Sequence, residues 1–518
     1  MLVDTPAPRP QMNTPSRITP LGRGLALTAA LLGWMFDGME MGLFPLVARS
    51  ALPELMGEGV TETLVASRYG VITAGFLVGA ATGGVLFGWL GDKIGRVRAM
   101  MISVFVYSIC SGLSAFSQEV WQFALLRFLG ALGMGGEWAL GVALVMEVWP
   151  NASRAWLAGW IGAFGNLGYT LCGIVAYYLI DLGDTLPGAL ISLGLPVSWT
   201  ETLTNNQNWR LMMLLGALPA VLTLFIQIFV PESEKWKQEK ASGKASFWSG
   251  KDLFGVLIGA MAAVGLIVIW YLDFTRYELP WPRNADMPLK FAASAVLLVI
   301  VTLGYLHPAR SYLGRSGLPL EVRRRTLGRM LLAAGLSGVP LLCTWAGVMW
   351  MYQWVGKLPG GTDPYARPMI QISSSIGAAI GCIIGALLCT PFGRRPVYAT
   401  LCVLSAITVT GFYQLNTHFG TIFVVSAGFM GMITAAFYGW LPLYLPELFP
   451  TAVRATGQGF GFNFGRIIAA VANLQMANLL LLFDGRYEHA CAVTAGVYAV
   501  GLVLIAYAPE TKGKPLPE

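Results

Sequence analysis

Runs of about 20 apolar residues recur along most of this chain, broken by short polar stretches. Each run is long enough to cross a bilayer as an α-helix, so the sequence specifies a polytopic α-helical membrane protein. The 518 residues are 55% hydrophobic and only 12% charged. A soluble chain carries roughly twice that charged share.

Spans are expected near 24–48, 69–90, 98–117, 120–146, 155–180, 209–230, 253–272, 288–306, 325–355, 368–391, 396–416, 420–444, 456–483 and 490–508, fourteen in all. Residues 1–22 are polar with five prolines and read as a disordered tail. No cleavable leader is expected ahead of the first span. The seven cysteines (Cys110, Cys172, Cys343, Cys382, Cys389, Cys402, Cys491) lie in or beside apolar runs, with spacing that suggests neither a disulfide nor a metal site.

Loop charge orients the spans. "GDKIGRVR", "PESEKWKQEKASGK" and "HPARSYLGRSGLPLEVRRR" fall on one side, while "SALPELMGEGVTETLVASR" on the other carries three Glu against one Arg. The Lys/Arg bias places both termini in the cytoplasm of a multi-pass inner-membrane protein. It also accounts for the net charge of +7 without a nucleic-acid partner; the expected partners are the bilayer and a small molecule, with the protein a monomer. The uncharged "LPGALISLGLPVSW" (186–199) is too short to span and reads as an outer interfacial or re-entrant piece.

The chain also repeats itself. "EVWPNASRA" from Glu147 and "ELFPTAVRA" from Glu447 share E-x-x-P-x-x-x-R-A at an offset of 300. "GAATGGVLFGWLGDKIGR" from Gly79 matches "GAAIGCIIGALLCTPFGR" from Gly377 at an offset of 298. Two matches in the same order imply a duplicated six-span unit, the plan of a carrier with its site between the halves. The domains are then a tail (1–22), an N-terminal bundle (23–232), a linker with two extra spans (233–322), a C-terminal bundle (323–508) and a second tail (509–518). A buried hairpin or an interfacial helix is the alternative for the extra pair.

With these residues in view, the chain resembles the major facilitator superfamily. "GWLGDKIGRVR" is similar to its loop motif, "RFLGALGMGGEW" to its fourth-helix motif, and "PESEKW" and "PETKG" to the ends of the two halves in its sugar and metabolite porters. "DGMEM", "GMGGEW" with "EVWP", and "VPESEKWKQEK" resemble the bacterial sialic acid–proton symporters and the wider metabolite–proton group. Departures are Glu40, where Asp is common, Thr390 in place of a second Asp92, and the absence of the hexose porters' Gln pair from "WAGVMWMYQW". The resemblance implies two six-helix bundles plus two central helices. It also implies an inner gate formed by Gly88, Asp92, Gly95, Arg96, Arg98, Glu147, Arg154, Glu447 and Arg454, and a coupling role for Arg127. Arg323, Arg324 and Arg325 fit topogenic charge alone.

Ionisable groups at depth are the remaining candidates, because charge inside the bilayer is costly. Asp37 lies about 20 Å along the first span, with Glu40 one turn beyond. Desolvation and mutual repulsion favour their neutral forms, so such acids can take a proton on one side and release it on the other. Pairing with Arg as structural glue is the alternative. Glu137, among Gly133, Gly135 and Gly136, is either a third coupling or substrate-facing acid or an interhelical hydrogen-bonding group. Arg466 with Asn463 can fork a substrate carboxylate, or can neutralise Asp37 or Glu40 across the halves. Trp350 and Gln353 face either a cavity or the membrane interface, and Asn166 either a cavity or a glycine-lined packing face.

Proton-driven uptake of a small organic anion by alternating access is the expected function, with the proton as coupling ion and no cofactor. A carrier of a neutral sugar or polyol is the alternative, and a non-transporting sensor stands behind it. His307, His418 and His489 sit at loops or span ends, and no hydrolase or phosphate-loop motif accompanies them, so an enzyme is not expected.

Overall fold

The computed structural model describes residues 20–57, 59–149, 154–183, 185–242, 248–271 and 286–517. All but the last three residues of the expected N-terminal tail, and the loop between the two central spans, lie outside them.

The first half comprises α1 (Pro20–Met56), α2 (Glu62–Ile94), α3 (Arg96–Leu113), α4 (Val120–Val148), α5 (Arg154–Asp181), α6 (Leu186–Ser192), α7 (Val197–Leu215) and α8 (Ala220–Phe229). After α9 (Glu234–Ala241) come α10 (Leu253–Tyr271) and α11 (Asp286–Arg315). The second half comprises α12 (Leu320–Ala346), α13 (Met351–Trp354), α14 (Ala366–Phe392), α15 (Arg394–Leu415), α16 (Thr421–Ala435), α17 (Phe437–Tyr444), α18 (Arg454–Leu474), α19 (Met476–Leu482), α20 (Tyr487–Thr494) and α21 (Val497–Tyr507).

Twelve helical segments among the described residues are long and apolar enough to cross a membrane. The other two expected spans are each split between two helices. α7 gives way to α8 around Gly216 and Pro219, where proline cannot donate the next helical hydrogen bond. α18 gives way to α19 at Gln475. The 186–199 stretch comprises the short α6, a turn and the first residues of α7, with Leu193 and Trp199 exposed.

The halves meet along two seams, α2 against α18 and α5 against α14. α10 and α11 pack on each other and lean on α2, with lesser contact to α18 and α12. Tyr305 and Thr82 share a buried 2.6 Å hydrogen bond that pins the extra pair to the first half.

The start of α1 and the segment after α21 lie at one face. The Trp149 indole at the end of α4 donates to the Arg23 carbonyl near the start of α1. The segment after α21, the expected second tail, folds back over the same face: Arg154 donates to the Lys514 carbonyl at 2.7 Å and Arg454 to that of Pro517 at 2.7 Å. This is termed the terminal face below, and its opposite the distal face.

Candidate functional site

Between the halves lies a cavity whose empty space, counted out to its opening to solvent, is about 1040 Å³. Trp34, Asp37, Trp138, Asn166 and Tyr169 line it from the first half; Thr344, Tyr352, Ser374, Ser375, Tyr438, Phe462 and Arg466 line it from the second. Toward the terminal face Trp138 stacks on Phe462, with ring centroids 3.8 Å apart. Toward the distal face Tyr69 packs edge-on against Trp350. The Trp350 indole donates to Asn473 at 2.8 Å, whose amide reaches the Gly70 carbonyl. Contacts between the halves therefore lie on both sides of the cavity.

Three acids and Arg127 from the first half converge beside it. Asp37 is on the wall itself, buried, with its Oδ1 unpartnered. Glu137 of α4 lies behind it. The two carboxyl groups are neighbours, and the Tyr107 hydroxyl approaches Glu137 from α3. Glu40 behaves differently. It forms a buried ion pair with Arg127 of α4 and accepts a hydrogen bond from Ser111 of α3. Three residues along a helix is about 300°, so Glu40 is turned some 60° from Asp37, enough to face α3 and α4 instead of the cavity.

Arg466 lies on the opposite wall from Asp37. It donates to Asn463 Oδ1 at 2.6 Å and its guanidinium stands 5.2 Å from the Phe462 ring centroid. It is close enough to feel the Asp37 charge, yet among the described residues no acid lies within ion-pairing distance of it. The expected pairing of Arg466 with Glu40 is not found, because Arg127 of the same half already holds Glu40. Asn463 also donates to the Gly135 carbonyl at 3.0 Å, so it fixes Arg466 while bridging α18 to α4. Asn166 lines the cavity and hydrogen-bonds back to the Gly162 carbonyl. Trp350 and Gln353 are not among the lining residues. Trp350 belongs to the distal layer, because its indole N–H is committed to Asn473.

At the terminal face the duplicated motifs pair reciprocally. Glu147 of the first copy meets Arg454 of the second at 3.3 Å, and Arg154 of the first meets Glu447 of the second at 3.0 Å. Asp92 accepts from the Thr456 amide at 2.9 Å and its hydroxyl at 2.6 Å. Those donors lie in the first turn of α18, where unpaired N–H groups and the helix dipole favour an anion. Arg96 bonds Asp92 at 2.9 Å and reaches Glu147 and the Thr451 carbonyl. Gly88 allows α2 to approach α18 closely: a Cβ there would stand 2.9 Å from the Ala455 carbonyl oxygen. Gly95, at φ 116°, makes the tight passage from α2 to α3, a backbone region that glycine occupies at least cost. Arg98 is exposed and stands outside this network.

The sequence model of the family described as "Sugar (and other) transporter" matches residues 25–249 and 329–516. The chain belongs to this family. Residues of the central pair from 250 to 328 fall between the two matched blocks. The sialic acid transporter NanX of Escherichia coli is 27% identical over 56% of this chain and 61% of that one. A cis,cis-muconate transport protein of Acinetobacter baylyi is 23% identical over 89% of this chain and 88% of its own. The major facilitator superfamily proton:xylose symporter XylE superposes with a TM-score of 0.64 at 19% identity, covering 95% of this chain and 97% of that one, a likeness of fold. This protein is thus a multi-pass transporter of the major facilitator superfamily, not an enzyme.

Several lining residues of this transporter escaped the sequence reading. The run Ser373–Ser374–Ser375 in an apolar span was a usable signal, since grouped hydroxyls at depth need partners. Trp138, Tyr169, Tyr352 and Tyr438 carried none, because an aromatic residue in a span reads equally as core or interfacial belt.

Proposed function

We propose that this transporter couples inward proton movement to uptake of a small organic anion by alternating access. The observation that carries the reading is Asp37 and Arg466 facing one another from opposite halves across a single cavity. Two adjacent carboxyls shielded from water resist carrying two charges, so Asp37 and Glu137 together hold a proton. With that proton absent, the negative charge balances Arg466. With it present, Arg466 is left to take a carboxylate from the substrate, and substrate binding then favours the protonated carrier. This is the linkage that symport requires. Glu40 and Arg127 hold α1, α3 and α4 together beside the pair.

The hydroxyls of Tyr352, Ser374, Ser375 and Tyr438 suit a hydroxylated acid of the sialic acid type. The transport of sialic acid and of muconate by relatives supports a carboxylate. Lys/Arg-rich loops at the terminal face support cytoplasmic termini in the inner membrane. The carrier acts as a monomer and uses no cofactor beyond the proton.

In proteoliposomes, N-acetylneuraminate should accumulate when the outside is acidic. Asp37→Asn should abolish accumulation while sparing exchange of the acid across the membrane. Equal uptake with and without the pH gradient would overturn proton coupling. Accumulation of a hexose instead of the acid would favour the neutral-sugar alternative.

A further inference from the structure

One side of α18 carries a row of side chains from the cavity toward the terminal face. Arg466, Phe462, Gln458 and Arg454 recur at every fourth residue, so each stands about 6 Å along the axis from the next and about 40° around it. Arg466 is on the cavity wall, and Phe462 forms the floor with Trp138. Arg454 holds Glu147 of the first half at the terminal face. Gln458 lies between floor and face.

Gln458 is fully buried, and among the described residues neither its Oε1 nor its Nε2 has a hydrogen-bond partner. Three other buried amides of the second half are each committed across the seam. Asn463 donates to the Gly135 carbonyl at 3.0 Å, Gln371 to that of Tyr169 at 3.0 Å, and Asn473 to that of Gly70 at 3.4 Å. Those three serve the conformation seen here, and Gln458 does not. An amide buried without partners costs more than an apolar side chain of the same size, so its use lies in another conformation. Its neighbours in the row share the feature: Nε of Arg466 and Nε of Arg454 are also buried and unpartnered. Spare N–H donors thus stand on three turns of α18, and the one apolar member of the row is the floor itself.

We propose that Gln458 is a release-side binding residue for the substrate. When the Trp138–Phe462 floor parts, its amide takes the organic anion from Arg466 and passes it on toward Arg454. The proposal rests on the anionic-substrate reading, and its test is chosen to separate the two.

Ala139 of α4 is fully buried, with its Cβ 3.7 Å from the place a Cβ on Gly459 would occupy. A cysteine there is reached only when α4 and α18 part. In the detergent-purified full chain carrying Ala139→Cys, Gln458→Met or Gln458→Leu should slow labelling by N-ethylmaleimide about tenfold, since the closed form no longer buries an unpaired amide. Gln458→Glu should speed the labelling, because burying a carboxyl costs more than burying an amide. In proteoliposomes with N-acetylneuraminate on both sides, all three substitutions should lower its exchange about tenfold. Met and Leu offer the anion no hydrogen bond, and Glu meets it with like charge.

Labelling unchanged by Met and Leu overturns the proposal, because the amide then costs the closed form nothing. Exchange that rises with labelling in Gln458→Glu also overturns it, since Gln458 then sets only the balance of conformations. If the parent carrier exchanges no N-acetylneuraminate, the anionic-substrate reading falls and the proposal with it. If the parent exchanges it and Gln458→Glu does so faster, the proposal alone falls.

Discussion

The two halves of this transporter share their terminal-face contacts but not the ionisable groups at the cavity. At the terminal face the correspondence is close. Arg96 with Glu147 and Ser233 in the first half answers to Arg394 with Glu447 and Thr511 in the second. Gly95 and Gly393 make the same positive-φ passage. Glu232 accepts from the Arg96 and Val97 amides, and Glu510 from those of Arg394 and Arg395. Deeper in, the halves diverge: Asp37, Glu40, Glu137 and Arg127 belong to the first, and Arg466 to the second. The repeated motifs thus keep matching contacts at the terminal face, while the ionisable groups at and beside the cavity differ between the halves.

The largest effect expected from breaking this comparison is at the Glu40–Arg127 pair. Arg127→Leu leaves a buried carboxylate without its partner and should cost about 3–5 kcal/mol of stability. Adding Glu40→Gln should recover much of that loss. Unfolding of the purified variants checks both. If Arg127→Leu alters only transport and not stability, the pair belongs to the coupling machinery with Asp37.

A smaller effect is expected at the terminal-face ion pairs, where reciprocal pairs are unequally shielded. Arg454 is fully buried on Glu147, while the Arg154 side chain retains 18% of its exposure. Asp92→Asn and Arg454→Ala should each shift the carrier toward opening at the terminal face by about 1–2 kcal/mol, roughly a 5- to 30-fold change in populations. Arg154→Ala should shift it by less than 1 kcal/mol. Labelling of cysteines placed at the two faces would report the shifts; equal effects of Arg154→Ala and Arg454→Ala would remove the asymmetry.

The smallest effect distinguishes the two capping glutamates by pH. Burial lifts the Glu232 carboxyl above its ordinary value, only partly offset by backbone amides and Arg96. At Glu510 burial acts the same way, but amides of Arg395, Arg394, Lys512 and Thr511 outweigh it and hold the carboxyl low. Glu510 therefore adds stability that is present above the ordinary glutamate value of about 4.3 and fades as the pH falls below it. Glu232 has the opposite sign: protonating it, as the pH falls from neutral through its raised value, favours the fold. Glu510→Gln should cost about 0.5–2 kcal/mol at neutral pH, the deficit shrinking in acid, and Glu232→Gln should remove the gain on acidification. Melting temperatures measured across the acid range would show the crossing, and parallel pH profiles for both variants would refute it.

Much of this was legible in the chain itself. Hydrophobic run length determined the helical membrane class, because a bilayer of fixed thickness leaves a helix of about 20 residues as the simplest answer. The internal repeats determined the two-half plan, and reciprocal pairing of the E-x-x-P-x-x-x-R-A copies follows from placing like parts across a pseudo-two-fold axis. Acids at depth marked Asp37, Glu40 and Glu137 as exceptional, since charge in lipid needs a reason. What only the tertiary structure decided is which partner each one meets. A 60° turn about α1 separates Asp37 on the cavity wall from Glu40 beside Arg127, and helix rotation is set by packing against α3, α4 and α5, which no local pattern encodes. The aromatic and hydroxyl lining and the folded-back C-terminal segment likewise depend on contacts between segments far apart in sequence. Residue spacing along one helix cannot carry that information.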